Sequence, residues 1–166
     1  VGLLAMLLLT GCKANPAEAG LEYLENGEYD QAIASFEQAI EDEINVGDAY
    51  RGIGLAKWEQ EDYSGAKEAF TEALEQGVAE TGTLNNMLGN CDLKLGNLSE
   101  ALSSYNHALE DENNSAELTQ EIQYNIIVVY EQMDDLKSAK VKLQDYVEAY
   151  PDDAEAQKEL EFLETR

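Results

Sequence analysis

The sequence predicts an all-α fold, a stack of four helical hairpins closed by one further helix. Three observations lead there: a short motif returning at a near-constant interval, small residues at fixed places within it, and glycine or proline between segments of helical periodicity. Aligned on Gly27-Glu28-Tyr29-Asp30-Gln31-Ala32, the motif recurs three more times, its alanines being Ala32, Ala66, Ala101 and Ala139, spaced by 34, 35 and 38 residues. Four residues after each stands a large apolar group: Phe36, Phe70, Tyr105 and Leu143. Three further on come Ala39, Ala73, Ala108 and then Tyr146. Twelve residues before each alanine lie Gly20, Gly54, Gly89 and, departing from the pattern, Ile127. Helices cross closely only where the facing side chains are no larger than a methyl, and the large group fills the wedge beside them. A hairpin of this kind cannot bury its own face, so neighbours must stack. Four units exceed the roughly three that independent stability requires.

Each element follows from local chemistry. Val1 to Leu9 is an apolar run, too short to span a bilayer but as long as the apolar segment of a signal peptide. Asn15-Pro16 reads as an N-cap followed by proline at the first helical position. Asp30, Ser64 and Ser99 are expected to cap the second helices of their hairpins. Gly27 and Gly96 supply the residue on which a helix can stop. The polar run Asp111-Glu112-Asn113-Asn114-Ser115 is expected to account for the 38-residue interval. Tyr150-Pro151-Asp152-Asp153 closes the fourth unit. Ala156, Leu160 and Leu163 then recur at helical spacing behind a capping-box-like pair, Asp152 and Glu155. The units are expected over 16–46, 47–81, 82–115 and 116–153, with a closing helix over 154–165.

This arrangement of small and aromatic residues resembles the tetratricopeptide repeat. The resemblance implies a right-handed α-solenoid of four helix pairs plus a C-terminal capping helix, the first helix of each pair lining a concave face. At the start of the chain, Leu9-Thr10-Gly11-Cys12 resembles the bacterial lipobox, in which the chain is cut before a cysteine that then carries lipid. That resemblance implies a truncated signal peptide at 1–11, a lipidated Cys12, and a short tether over 12–15 reaching about 10 Å. The implied location is a bacterial membrane, facing outside the cytoplasm. The residues alone leave a second reading open, a buried N-terminal helix with an ordinary cysteine.

Charge bounds the partners. The chain has 166 residues, 35 acidic against 10 basic, for a formal net charge of −25. Such a field repels phosphate backbones and anionic lipid, which argues against nucleic acid and against membrane attachment through a basic surface. With 44% apolar residues, regularly spaced, the composition is that of a folded body with a solvated acidic exterior. No catalytic constellation is evident, and neither a cofactor nor a metal site is expected. His107 is the only histidine and falls on the solvent side of its helix. Cys91 aligns with Ala56 and Val129, where it serves as a small hydrophobe. The acidic runs lack the glycine-centred twelve-residue loop that calcium requires.

What remains is the concave face. By the same resemblance its candidate partner-binding residues are Arg51, Leu55 and Trp58 in the second unit; Asn86, Met87, Asn90, Leu93 and Lys94 in the third; and Tyr124, Asn125 and Val128 in the fourth. Amides beside an arginine and a lysine suit an extended peptide, and Trp58, Leu93 and Val128 offer apolar contact; Trp58 equally suits packing between units. Asn90 and Asn125 match the two asparagines of the family's carboxylate clamp, but Asn86 stands where a lysine belongs. The expected function is an anchored adaptor, monomeric because its last helix closes the stack, holding a protein or peptide. The alternatives are a structural or oligomerisation spacer of the cell envelope and a glycan- or solute-binding lipoprotein.

Overall fold

The computed structural model describes residues 15–165, so Cys12 and the segment around it lie outside the described residues. The described residues form helices α1 (Pro16–Glu25), α2 (Tyr29–Glu41), α3 (Val46–Glu59), α4 (Tyr63–Glu75), α5 (Gly82–Leu95), α6 (Leu98–Leu109), α7 (Ala116–Gln132), α8 (Leu136–Ala149) and α9 (Ala154–Glu164), with no strand among them. Each helix packs chiefly on the one before and the one after it, the succession that stacked hairpins produce.

The recurring residues build the core as their sizes require. Ala32, Ala66, Ala101 and Ala139 are fully buried, as are Phe70, Tyr105 and Leu143. The aromatic rings lie against the glycines. A methyl group at Gly20 would stand 2.6 Å from the Phe36 ring, and one at Gly54 2.5 Å from Phe70. Only a hydrogen fits there. In the fourth hairpin the volumes are exchanged, with buried Ile127 replacing the glycine and the smaller Leu143 the ring, and the two share one cluster with Ala139.

The four hairpin turns share one geometry. A single left-handed residue, Gly27, Glu61, Gly96 or Asp134, has φ of 75°, 61°, 77° and 59° respectively. The next amide, of Glu28, Asp62, Asn97 or Asp135, then donates to a carbonyl five residues back at 2.8–2.9 Å, the Schellman closure. This turn corrects the expected caps. The second helices begin one residue before Asp30, Ser64 and Ser99, and their N-caps lie two residues before them, on the residue after the left-handed one. Asp62 accepts from the Gly65 amide at 3.0 Å and Asp135 from that of Ser138 at 3.1 Å.

Two further expectations shift. The connections before α5 and α7 are equally long, so the 38-residue interval does not come from the polar run. It comes from α7, which has 17 residues where α3 and α5 have 14. At α9 the cap is Asp153, which accepts from the amides of Glu155 and Ala156, and not Asp152. Asn15 does cap α1, accepting from the Ala17 amide at 3.1 Å.

The closing helix is built like a first helix. Ala49, Ile53 and Ala56 face the core of α3, and Ile122, Ile126 and Val129 that of α7, spaced by four and then three residues. Ala156, Leu160 and Leu163 repeat that spacing in α9, packed against Tyr146 and Leu143.

Candidate functional site

Two cavities lie along the row of first helices. One, of about 230 Å³, is lined by Glu18 and Leu21 of α1 and by Asp48, Arg51 and Leu55 of α3. The other, of about 370 Å³, lies between α7 and the start of α9. On the side formed by the second helices, a cavity of about 490 Å³ between α2 and α4 carries Glu37, Glu68 and Glu72 around Ile40 and Ala69.

Side-chain hydrogen bonds tie successive first helices together. Asn86 Nδ2 of α5 donates to Glu121 Oε1 of α7 at 2.8 Å, and Asn125 Nδ2 of α7 donates to Asn90 Oδ1 of α5 at 3.1 Å. The Tyr124 hydroxyl of α7 donates to Glu159 Oε2 of α9 at 2.8 Å. Glu131 joins the last pair. Its carboxyl is pushed up to about 7, by burial first, then by a hydrogen bond to Glu159 and by that group's negative charge.

The sequence-derived residues fall into different environments. Arg51 is exposed and its guanidinium pairs with Asp48 Oδ1 at 2.9 Å; Leu55 lines the first cavity beside it. Trp58 is half-buried against the cluster of Ala66, Phe70, Leu84 and Cys91, and stands edge-on to Tyr63 with centroids 5.0 Å apart. Lys94 Nζ lies 5.9 Å from the centroid of that same Tyr63 ring, so these three residues couple the second unit to the third. Met87 and Leu93 are half-buried against the core, and Val128 is half-buried. Asn86 is withdrawn, only 4% exposed. The two asparagines of the clamp pattern meet, but Asn90 Oδ1 is already taken by Asn125 and by the Tyr105 hydroxyl at 2.7 Å.

Several residues of this surface escaped the sequence. Leu21, 53% exposed, is the apolar partner of Leu55 in the first cavity. Glu121 and Glu155 line the second cavity. The repeat register that selected the residues of α3, α5 and α7 reaches them when extended to α1 and α9 and to the outermost turn of each helix.

Buried reactive groups are structural. Cys91 is fully buried and its thiol is pushed up to about 12, by burial first and by the neighbouring Asp92 charge second, so it packs as a hydrophobe. Asp92 is buried too, with Lys67 Nζ 2.6 Å and Asn97 Nδ2 3.0 Å from Oδ1. His107 is exposed on α6. Among the described residues no group of three or more metal-ligating side chains is placed to hold an ion, and no helix is long and apolar enough to cross a membrane.

Helical hairpins stacked in series define a helical-repeat scaffold. The chain belongs to the tetratricopeptide repeat family: residues 18–63 and 51–117 match one form of that repeat and residues 121–153 another. No curated protein sequence is detectably similar to it. Among solved structures it is similar to YrrB, a tetratricopeptide repeat protein described as having an unusual peptide-binding site, at 25% identity and a TM-score of 0.75, over 89% of this chain and 74% of that one. It has the same fold as MamA from Desulfovibrio magneticus RS-1, at 18% identity and a TM-score of 0.75 over 91% and 82% of the two chains. It also shares the fold of the first repeat domain of Spaghetti (RPAP3) bound to the HSP90 peptide SRMEEVD, at 22% identity and a TM-score of 0.59 over 66% and 86%.

Proposed function

We propose that this chain is an adaptor that holds an extended segment of a protein partner along its row of first helices, and that lipid on Cys12 anchors it to a bacterial membrane on the side away from the cytoplasm. The observation that carries the adaptor reading is the pair of cavities on that row, one presenting Leu21 and Leu55 and the other Tyr124. An exposed Leu21 beside half-buried Leu55 and Tyr124, among polar groups, is a composition that suits a protein-binding surface. The fold it shares with YrrB, whose site takes peptides, and with the peptide-bound RPAP3 domain supports the same reading.

The anchor rests on Leu9-Thr10-Gly11-Cys12 following an apolar run. With α1 opening at Pro16, an acylated Cys12 would hold the stack against the bilayer. Each buried CH₂ contributes about 0.8 kcal/mol, so two or three acyl chains outweigh the repulsion of an acidic body.

Two experiments test these parts separately. Affinity capture compares the wild type with a Leu21→Ala/Arg51→Ala/Leu55→Ala variant; partners recovered by the wild type alone are expected, and equal recovery by both removes the row from the mechanism. For the anchor, cells expressing the chain from its own gene are fed an alkyne fatty acid. Label on the wild type and none on Cys12→Ala is expected; an unlabelled wild type refutes anchoring.

A further inference from the structure

The second helices change in charge along the stack. In α2 stand Asp30, Glu37 and Glu41 with no cation, and α4 has three glutamates against Lys67. α6 carries one acid, Glu100, and exposes Ser103, Asn106 and His107. α8 reverses the sign, with Lys137, Lys140 and Lys142 against Asp145 and Glu148. Three of the ten basic residues of a chain at −25 thus fall within six positions of one helix. In the earlier hairpins Arg51, Lys57 and Lys67 are engaged by Asp48, Asp62 and Asp92. Among the described residues no such ion pair holds the lysines of α8, so their charge is available.

This basic patch has an apolar centre. Val141 is 51% exposed, stands between Lys140 and Lys142, and lies one helical turn beyond Lys137. The groove of about 490 Å³ between α2 and α4 is its complement in both respects. Ile40 and Ile53 give it an apolar floor, and Glu37, Glu41, Glu68 and Glu72 surround that floor. Lys57 on its wall faces Asp62 at 3.7 Å. An apolar centre inside a charged rim is the anatomy of a protein interface, and here one chain carries both halves of it.

We propose that the groove between α2 and α4 takes α8 of a second copy of this chain. Val141 enters the floor, and the lysines around it meet the glutamates of the rim in charge-assisted hydrogen bonds. The contact joins two different surfaces, so a bound copy still presents a free groove or a free α8 to the next. Two bodies at −25 repel at a distance. At about 0.15 M salt, however, charges more than about 8 Å apart are largely screened, and the pairs in contact decide. The closing helix, which argued for a monomer, packs on Leu143 and Tyr146 of α8 and leaves Lys137 and Val141 exposed. It ends growth along the stack but not association through its side. This inference goes beyond the adaptor reading and does not depend on it, because Leu21 and Leu55 lie on the row of first helices.

The test is sedimentation equilibrium of the full chain in a non-ionic detergent at about 0.15 M salt, which reads average mass against concentration. Two variants reverse the two halves of the contact: Lys137→Glu/Lys140→Glu on α8, and Glu37→Lys/Glu68→Lys at the groove. For the wild type, mass is expected to rise with concentration. Each variant alone should associate at least about tenfold more weakly, since like charges then face each other. An equal mixture of the two should associate as the wild type does, because each finds in the other the opposite charge that it lacks. That recovery also shows that both variants fold. Variants that associate as strongly as the wild type overturn the inference. So does a mixture that recovers nothing although circular dichroism shows wild-type helix content in both. A wild type that stays monomeric overturns it too; if that monomer floats with phosphatidylglycerol vesicles and Lys137→Glu/Lys140→Glu does not, α8 faces anionic lipid instead. None of these failures touches the adaptor reading, which stands or falls with Leu21, Arg51 and Leu55.

Discussion

At the scale of single residues, the crossing of each hairpin is a trade of volumes. Phe36, Phe70 and Tyr105 can lie flat only because Gly20, Gly54 and Gly89 lack a side chain, and the fourth hairpin reaches the same packing with Ile127 and Leu143. Gly89→Ala is expected to destabilise the chain by about 1–3 kcal/mol in urea unfolding, because overpacking outweighs the gain in helix propensity. A second prediction concerns Asp92, whose carboxylate is buried beside Lys67. Lys67→Met leaves that charge with only Asn97 and is expected to cost about 2–3 kcal/mol by the same measurement. Lys67→Met/Asp92→Asn should recover most of the loss; no recovery would mean that the lysine stem, and not its charge, stabilises the site. The glycines were legible in the sequence because their spacing is periodic. Asp92 was not, because in a chain with 35 acidic residues a carboxylate turned inward has no signature of its own.

Among the elements, the hairpin turn and the closing helix are the informative ones. The left-handed position of the turn holds glycine twice but glutamate and aspartate in the other two hairpins. A side chain there costs about 1 kcal/mol, so Glu61→Gly is expected to raise the unfolding midpoint, less what the more flexible unfolded chain takes back. The contact of α9 with α7 is sensitive to pH through Glu131, which keeps its proton up to about pH 7 where a free glutamate loses it near 4.5. Since the folded chain holds this proton more tightly, the stabilisation is complete below 4.5 and is lost as pH rises through 7. Glu131→Gln, which keeps a donor for Glu159 at every pH, should therefore raise the melting temperature at about pH 8 and change it little at about pH 4.5. An equal effect at both values would rule out the proton as the cause. Where helices begin was less legible than that they exist. Asp30, Ser64 and Ser99 are good caps by residue type, but the tight turn starts each helix before the chain reaches them.

Taken whole, the molecule balances a strongly repulsive exterior against contacts made between neighbouring helices. Added sodium chloride screens exposed charges, so its melting temperature should rise between low salt and about 0.5 M; a fall would mean that ion pairs contribute more than repulsion removes. The stacking of hairpins and the identity of the repeat were readable because periodicity survives any choice of surface residues. The character of the inner surface was not. Arg51 and Lys94 stand out as the rare cations, but Asp48 and Tyr63 engage them, and the carboxylates around Tyr124 come together only when α9 folds back beside α7.

That α9 repeats the spacing of a first helix has a mechanical corollary. Successive hairpins are linked in series, each resting on the next through a narrow junction such as Asn90–Asn125 or Tyr124–Glu159. A pull applied between the first hairpin and the last would be shared among those junctions as small rotations, and the body would yield as a compliant spring whose stiffness is set by its weakest link.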